Sequence, residues 1–339
     1  MSSPHTLSVF ALETKDRTPC GFRTAVTKAN FPILRNMALY HLVIEPGCFR
    51  EPHWHPNADE VGYCTAGSAL VTIFSNGNQH DHFTITAGEM FFVPSGSIHA
   101  IENTGTARAE FVLSFSSDSP EDFGLSGAVG CMTPEVLGNT WGRKASELGS
   151  VTRSLEDVLF GRTAGTPEIP ESASFANRLK FSIEAREPLL RSEIGSVRVA
   201  RMDTWPVLRH QGMYSLRLRG TGMREPHWHP ETAEMGFVLQ GRARMTIKNP
   251  GTGVDTYELQ PGDMYFIPRA YPHHIENLGE DEVRFLIFFD TPFVQDIGYT
   301  GAIPAFPPRI ITPTIGLDAA LIPDRASDLL LVPKVRPTG

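Results

Sequence analysis

The first chemical signal is a set of side chains that can hold a metal. His53 and His55 flank a single tryptophan, Glu60 follows five residues later, and His99 lies further on. Side chains on a strand alternate between faces, so His53 and His55 point to one side and Trp54 to the other. The next turn brings Glu60 back towards them, and His99, on a later strand pair, closes the set. Three imidazoles and one carboxylate form a shell for a divalent transition metal with coordination positions left open. Manganese suits such a mixed shell, as do iron, cobalt, nickel and zinc. His227, His229, Glu234 and His273 repeat the pattern at identical spacing. An isolated HxH is ordinarily a pair of surface or core histidines. His80 and His82 are read that way, as solvated loop residues, because Val254 and Thr256 stand at their counterparts. A full set duplicated in one register argues against that reading for the other eight.

The elements that position these residues are duplicated too. At a constant offset of 174 residues, Glu51-Pro52-His53-Trp54-His55-Pro56 recurs as Glu225-Pro226-His227-Trp228-His229-Pro230. The register runs without a gap from Phe31 to Leu137, paired with Trp205 to Ile311, which implies a tandem duplication. Within each copy the runs are short and β-rich. Val71–Phe74, Met90–Val93 and Phe111–Phe115 are expected strands, with Met245–Ile247, Met264–Ile267 and Val283–Phe289 in the second copy. Gly 30 and Pro 27 supply many turns, so the expected class is all-β, a sandwich or barrel in each half. Residues 1–140 are expected to form the first domain and 181–339 the second, whose Pro-rich tail wraps the surface. Residues 141–180 are expected to be a linker, with helical spacing over Asn139–Leu159.

Composition narrows the function classes. At 339 residues, 41% hydrophobic and 20% charged, the chain can bury two sizeable cores. A net charge of -8 argues against nucleic acid, which needs a basic face. No apolar run reaches membrane-spanning length. Met1–Glu13 has no Lys or Arg ahead of its short apolar stretch and does not resemble a secretory signal, so a cytoplasmic location is expected unless a signal has been removed. Cys20, Cys48, Cys64 and Cys131 have no CxxC or framework spacing. They read as small reduced residues, with a disulfide or catalytic thiol as the minority alternative.

Gly47, His53, His55, Glu60 and Gly67 match the first motif of the cupins, and Gly88, Pro94, Gly96, His99 and Asn103 match the second. In the second copy Thr221 and Ala270 replace two of the turn glycines. The chain thus resembles a bicupin, which implies two tandem jelly-roll (double-stranded β-helix) barrels with short helical flanks. The Arg-Glu-x-His-Trp-His string, here Arg50–His55 and Arg224–His229, is similar to that of the oxalate decarboxylase group. That resemblance implies two manganese ions per chain, oxalate or another small dicarboxylate and dioxygen as small-molecule partners, and a homo-oligomer, trimer or hexamer. It also implies that Arg50, and Arg224 in the second copy, grip the free carboxylate of a diacid, a task suited to the planar guanidinium fork. Arg50 lies three residues before His53, on the opposite strand parity. A bend at Glu51-Pro52 would turn it inward; a surface ion pair with Glu51 is the alternative.

The two copies differ in the loop after Phe115. The group's members carry a mobile Ser-Glu-Asn-Ser lid whose glutamate donates a proton, and this string is absent. Ser119-Pro120-Glu121-Asp122 stands in its place, making Glu121 the first candidate proton donor and Asp122 the second, unless the loop is simply solvated. Gln295 occupies the Glu121 position of the second copy and Asp296 that of Asp122. The leading expectation is a manganese-dependent oxalate decarboxylase, a carboxy-lyase forming formate and carbon dioxide. The alternatives are oxalate oxidase, another small-acid oxygenase or isomerase, or a non-enzymatic bicupin that stores or senses metal or a small acid.

Overall fold

Short strands rich in β-branched and aromatic residues, separated by glycine and proline turns, pair antiparallel throughout. The computed structural model describes residues 3–14, 16–220, 222–324 and 331–333. It divides into two compact units. One comprises Glu13–Asn30 and Asn36–Ser182; the other takes the chain up to Leu12, Phe31–Arg35 and everything from Ile183 on.

In the first unit, a seven-stranded sheet runs in the order Lys180–Phe181, Met90–Val93, Glu60–Ala66, Ala109–Phe115, Ala38–Ile44, Gly21–Val26, Asp16–Thr18. The other sheet orders Phe123–Gly124, Cys48–Trp54, Ile98–Glu102, Ser68–Ser75 and Gln79–Thr86, and Phe160–Arg162 also pairs with Cys48–Trp54. The second unit repeats both sheets. Its seven-stranded sheet contains Glu234–Gln240, Asp263–Ile267 and Val283–Phe289, and its other sheet Gly222–Trp228, Ala243–Lys248 and His273–Asn277. Ala38–Ile44 is buried on both faces, whereas Gln79–Thr86 buries only Phe83 and Ile85. A core of Val197, Leu216, Phe285 and their neighbours fills the second barrel.

Several expectations meet a different structure. Thr6–Ser8 pairs with Asp263–Ile267, so the first residues complete the second unit rather than belonging to a first domain of 1–140. Phe160–Arg162, inside the expected linker of 141–180, and Lys180–Phe181, at its end, add strands to the first unit. The expected helix over Asn139–Leu159 is reduced to the end of Pro134–Trp141 and a 3-10 turn at Ala145–Leu148. Gly142, with φ 64°, stops the helix in a left-handed cap. His80 and His82 lie on a strand, not in a loop. In the second unit Ala270 holds the turn of its missing glycine at φ 63°, and Thr221 lies outside the described residues. Of the tail, Leu331–Pro333 pairs with Gly222–Trp228, and the segments on either side, 325–330 and 334–339, lie outside the described residues. Cys20 and Cys48 form a disulfide with Cα atoms 5.4 Å apart, which corrects the reading of four reduced cysteines. Only the fold brings these two together across 28 residues; Cys64 and Cys131 are free.

Candidate metal centres

In each unit one pair of strands does most of the positioning. His99 faces His53 across the ladder, but the next paired positions are Ile101 and Arg50. Two steps on one strand thus meet three on the other, a β-bulge at Glu51-Pro52. The bulge turns Arg50 to the same interior as His53, leaving it 2% exposed. The second unit has the same register shift between Arg224 and His227.

The structure brings His53, His55, Glu60 and His99 together, all buried, with one ligand atom from each within 4.8 Å of the others. His227, His229, Glu234 and His273 form an equivalent group. Backbone carbonyls orient the imidazoles. The Nδ1 groups of His53, His55 and His99 donate to the carbonyls of Glu51 (2.7 Å), Glu121 (2.8 Å) and Ser97 (3.2 Å). That leaves the Nε2 atoms facing inward, as metal-ligating histidines require. Glu60 Oε2 lies 3.2 Å from Nε2 of both His55 and His99, while its Oε1 is buried without a hydrogen-bond partner among the described residues. Burial, reinforced by Arg50 and the neighbouring histidines, holds His53 well below the usual imidazole range and thus neutral. Burial would raise Glu60, but the adjoining His99 and His55 imidazoles bring it down to about 2. Neutral imidazole, ionised carboxylate and an orphaned buried oxygen are what a divalent cation would satisfy. The donor set fits a metal.

Beside this group, Asp122 accepts from Arg50 Nη2 at 2.7 Å and also pairs with Arg23. Burial opposes the charge on Asp122, but Arg50 and Arg23 hold its carboxyl below the usual range. Glu121 behaves differently: its carbonyl meets His55, its N–H donates to Asn57 Oδ1 at 2.8 Å, and the residue is exposed. The structure therefore places Asp122, and not the Glu121 carboxylate, at the centre. The cavity there is only about 10 Å³ and is lined by Arg23, Tyr40, Ile101 and Leu113 among others, besides His53, His55 and Glu60. In the second unit Asp296 takes the Asp122 position, 3.1 Å from Arg224 and 2.7 Å from His229 Nδ1. Burial pulls His229 down, but Asp296 and Glu234 outweigh it and raise His229 to about 9. A cleft of about 560 Å³ at this mouth is lined by Leu190, Arg201, Tyr214, Val294 and Asp296 among others.

Sequence reasoning missed several residues. Arg23 precedes the repeat register, and Val197 stands at its counterpart. Tyr40 and Tyr214, which correspond at the 174-residue offset, each line a cavity. Glu51, the alternative surface partner of Arg50, is buried; its carboxylate accepts from Leu159 N (2.6 Å) and Ser126 N (3.0 Å) and ties down the segments beside the bulge. Tyr265, at the position of Phe91, donates to Glu234 Oε1 at 2.5 Å.

Two antiparallel barrels, each with a group of three histidines and one glutamate, define a bicupin. The cupin family model matches residues 11–147 and 181–321, and the chain belongs to that family. Among curated proteins it is similar to the oxalate decarboxylase OxdC of Bacillus subtilis, at 28% identity over 82% of this chain and 73% of that one. An oxalate decarboxylase of Arthroderma benhamiae is 24% identical over 87% of this chain and 76% of its own. A solved structure of the Bacillus subtilis enzyme superposes with a TM-score of 0.88 at 24% identity, covering 99% of this chain and 89% of that one. Mn(II) centres are described for that enzyme.

Proposed function

We propose that the protein is a manganese-dependent oxalate decarboxylase that converts oxalate to formate and carbon dioxide. The observation that carries this reading is a buried arginine beside the three histidines and the glutamate, with a loop carboxylate, Asp122, seated on its guanidinium. Asp122 occupies the place that one carboxylate of a diacid would take, and the Arg50 fork suits it. His53, His55, Glu60 and His99 would hold the manganese, and His227, His229, Glu234 and His273 a second ion. When bound, the metal supplies one-electron chemistry and a template for orienting substrate.

The remaining steps belong to the chain. The cavity of about 10 Å³ has room for about one water, so oxalate enters only if the loop carrying Asp122 withdraws. Asn57 ties this loop at Ser119 O and Glu121 N, and His55 holds it at Glu121 O, so opening loosens one ligand imidazole. Once oxalate replaces Asp122 on Arg50, the Asp122 carboxyl loses one of the two charges that keep it ionised and holds a proton more readily. From there Asp122 would deliver that proton to the carbon left by departing carbon dioxide. Glu121, the first candidate from sequence, would do so only after turning its exposed side chain inward.

Oxalate oxidation is the second reading, favoured by the exposure of Glu121 and the ionised state of Asp122, which leave neither loop carboxyl poised to donate a proton in the closed centre. Metal analysis with product analysis on oxalate separates the two. Formate without net dioxygen consumption supports decarboxylation, hydrogen peroxide supports oxidation, and neither product leaves a binding protein.

A further inference from the structure

The two centres differ at an atom that touches the ligand glutamate. On the strand Asp263–Ile267, Tyr265 lies beneath Glu234 and donates its hydroxyl to Glu234 Oε1 at 2.5 Å, while Oε2 faces His229 at 2.7 Å and His273 at 3.3 Å. In the first unit the equivalent position is Phe91, which has no hydroxyl, and Glu60 Oε1 is buried without a partner among the described residues. Packing around the two rings is alike in both units. Gly62 and Gly236 leave room for them; a Cβ there would come within 2.2 Å of Phe91 Cε1 and 2.1 Å of Tyr265 Cζ. Both rings are fully buried, so a tyrosine hydroxyl at this position needs a partner, and Glu234 supplies it.

We propose that Tyr265 is a positioning residue that fixes Glu234 as a one-oxygen ligand, so that the second centre holds its metal in a set geometry while Glu60 is free to offer one oxygen or two. This rests on the reading that both groups bind manganese. The physical basis is the ligand's outer partner: a carboxylate oxygen engaged by a hydroxyl is held in orientation and less available to the ion, and losing such a partner typically costs ~10–100-fold in metal affinity. An unpartnered carboxylate in the first centre can instead rotate between coordination modes as other ligands arrive or leave, which suits a site that exchanges substrate.

The test isolates each centre and exchanges the one atom. The His99→Ala background leaves only the second centre, and His273→Ala only the first. Manganese affinity is measured by chelator competition and ligand geometry by Mn(II) paramagnetic resonance on the folded, metal-loaded chain. Tyr265→Phe should weaken the second centre ~10–100-fold, shift its spectrum towards that of the first, and leave the first unchanged. Phe91→Tyr should move the first spectrum towards that of the second, and it carries the test alone if Tyr265→Phe does not fold. Unaltered affinity and spectrum at the second centre in a folded Tyr265→Phe protein would overturn the inference, as would equal changes at both centres. If the unmutated chain binds manganese at neither centre, the metal reading falls and this inference with it. Two bound ions with no response to Tyr265→Phe would remove this inference alone.

Discussion

Replacing Asp122 by asparagine should tighten oxalate binding while making the protein less stable. In the resting structure the Asp122 carboxylate is seated on Arg50 at 2.7 Å and also meets Arg23, so a diacid must displace it before binding. A hydrogen bond to a charged group contributes roughly 1.5–3 kcal/mol. At about 1.4 kcal/mol per decade, removing that competitor should improve oxalate affinity ~10–150-fold. Stability moves the other way, because Arg50, 2% exposed, and Arg23 lose their shared counter-charge. Titration calorimetry of the metal-loaded protein without dioxygen reads the affinity, and thermal melting reads the stability. Turnover to formate should fall, since the same substitution removes the proposed proton source. Glu121→Gln is the control: its side chain is exposed, so affinity and melting should hardly change. Oxalate binding in Asp122→Asn that is unchanged or weaker, with metal content intact, would refute the displacement argument.

Other outcomes follow from the same geometry. His53→Ala and His227→Ala should each remove about one metal equivalent by elemental analysis, because each takes one ligand from a four-ligand group. Arg50→Lys keeps the charge but loses the fork, so oxalate affinity should drop ~10-fold or more while metal content stays. Burial opposes the charge on Glu184, but hydrogen bonds from Ser215 and Arg217 and the charges of Arg217 and Arg284 hold it below the usual range. Its stabilisation is therefore present above the unfolded carboxyl value of about 4.3 and is lost as pH falls through the lower folded value. Glu184→Gln should flatten melting temperature against pH in that acid range, and an unchanged profile would count against it. Reducing the Cys20–Cys48 bridge, which closes a loop of 28 residues, should lower unfolding free energy by ~3–4 kcal/mol in denaturant titrations.

The ligand groups were legible because the duplication supplies an internal comparison: eight residues at one offset leave little room for coincidence. The strands were legible for a similar reason, since runs such as Met90–Val93 lie between turn residues and alternate little because both faces are buried. What escaped was set by register and long-range pairing. Arg50's inward aim depends on one extra residue in the ladder, which the proline hinted at and strand parity concealed. Arg23 reaches Asp122 from a strand outside the repeat, and Cys20 meets Cys48 only through the fold. Helical spacing over Asn139–Leu159 was overridden by Gly142 and Gly149, which end a helix more cheaply than a leucine pattern can extend it. Tyr265 was visible in principle, as a hydroxyl where the other copy has Phe91, but its meaning depended on knowing what lay above it.

The pairing of Thr6 with Tyr265 and Leu7 with Met264 has a consequence in time. A ribosome makes the edge strand Thr6–Ser8 long before its partner Asp263–Ile267, so the second barrel cannot close until most of the chain has emerged. Until then that strand waits without its ladder, while the first barrel, whose strands all lie between Asp16 and Phe181, can already be complete. The order of synthesis thus gives the two metal centres different histories. The first can form around its ion during translation, whereas Tyr265, paired with Thr6, takes its place under Glu234 only near the end.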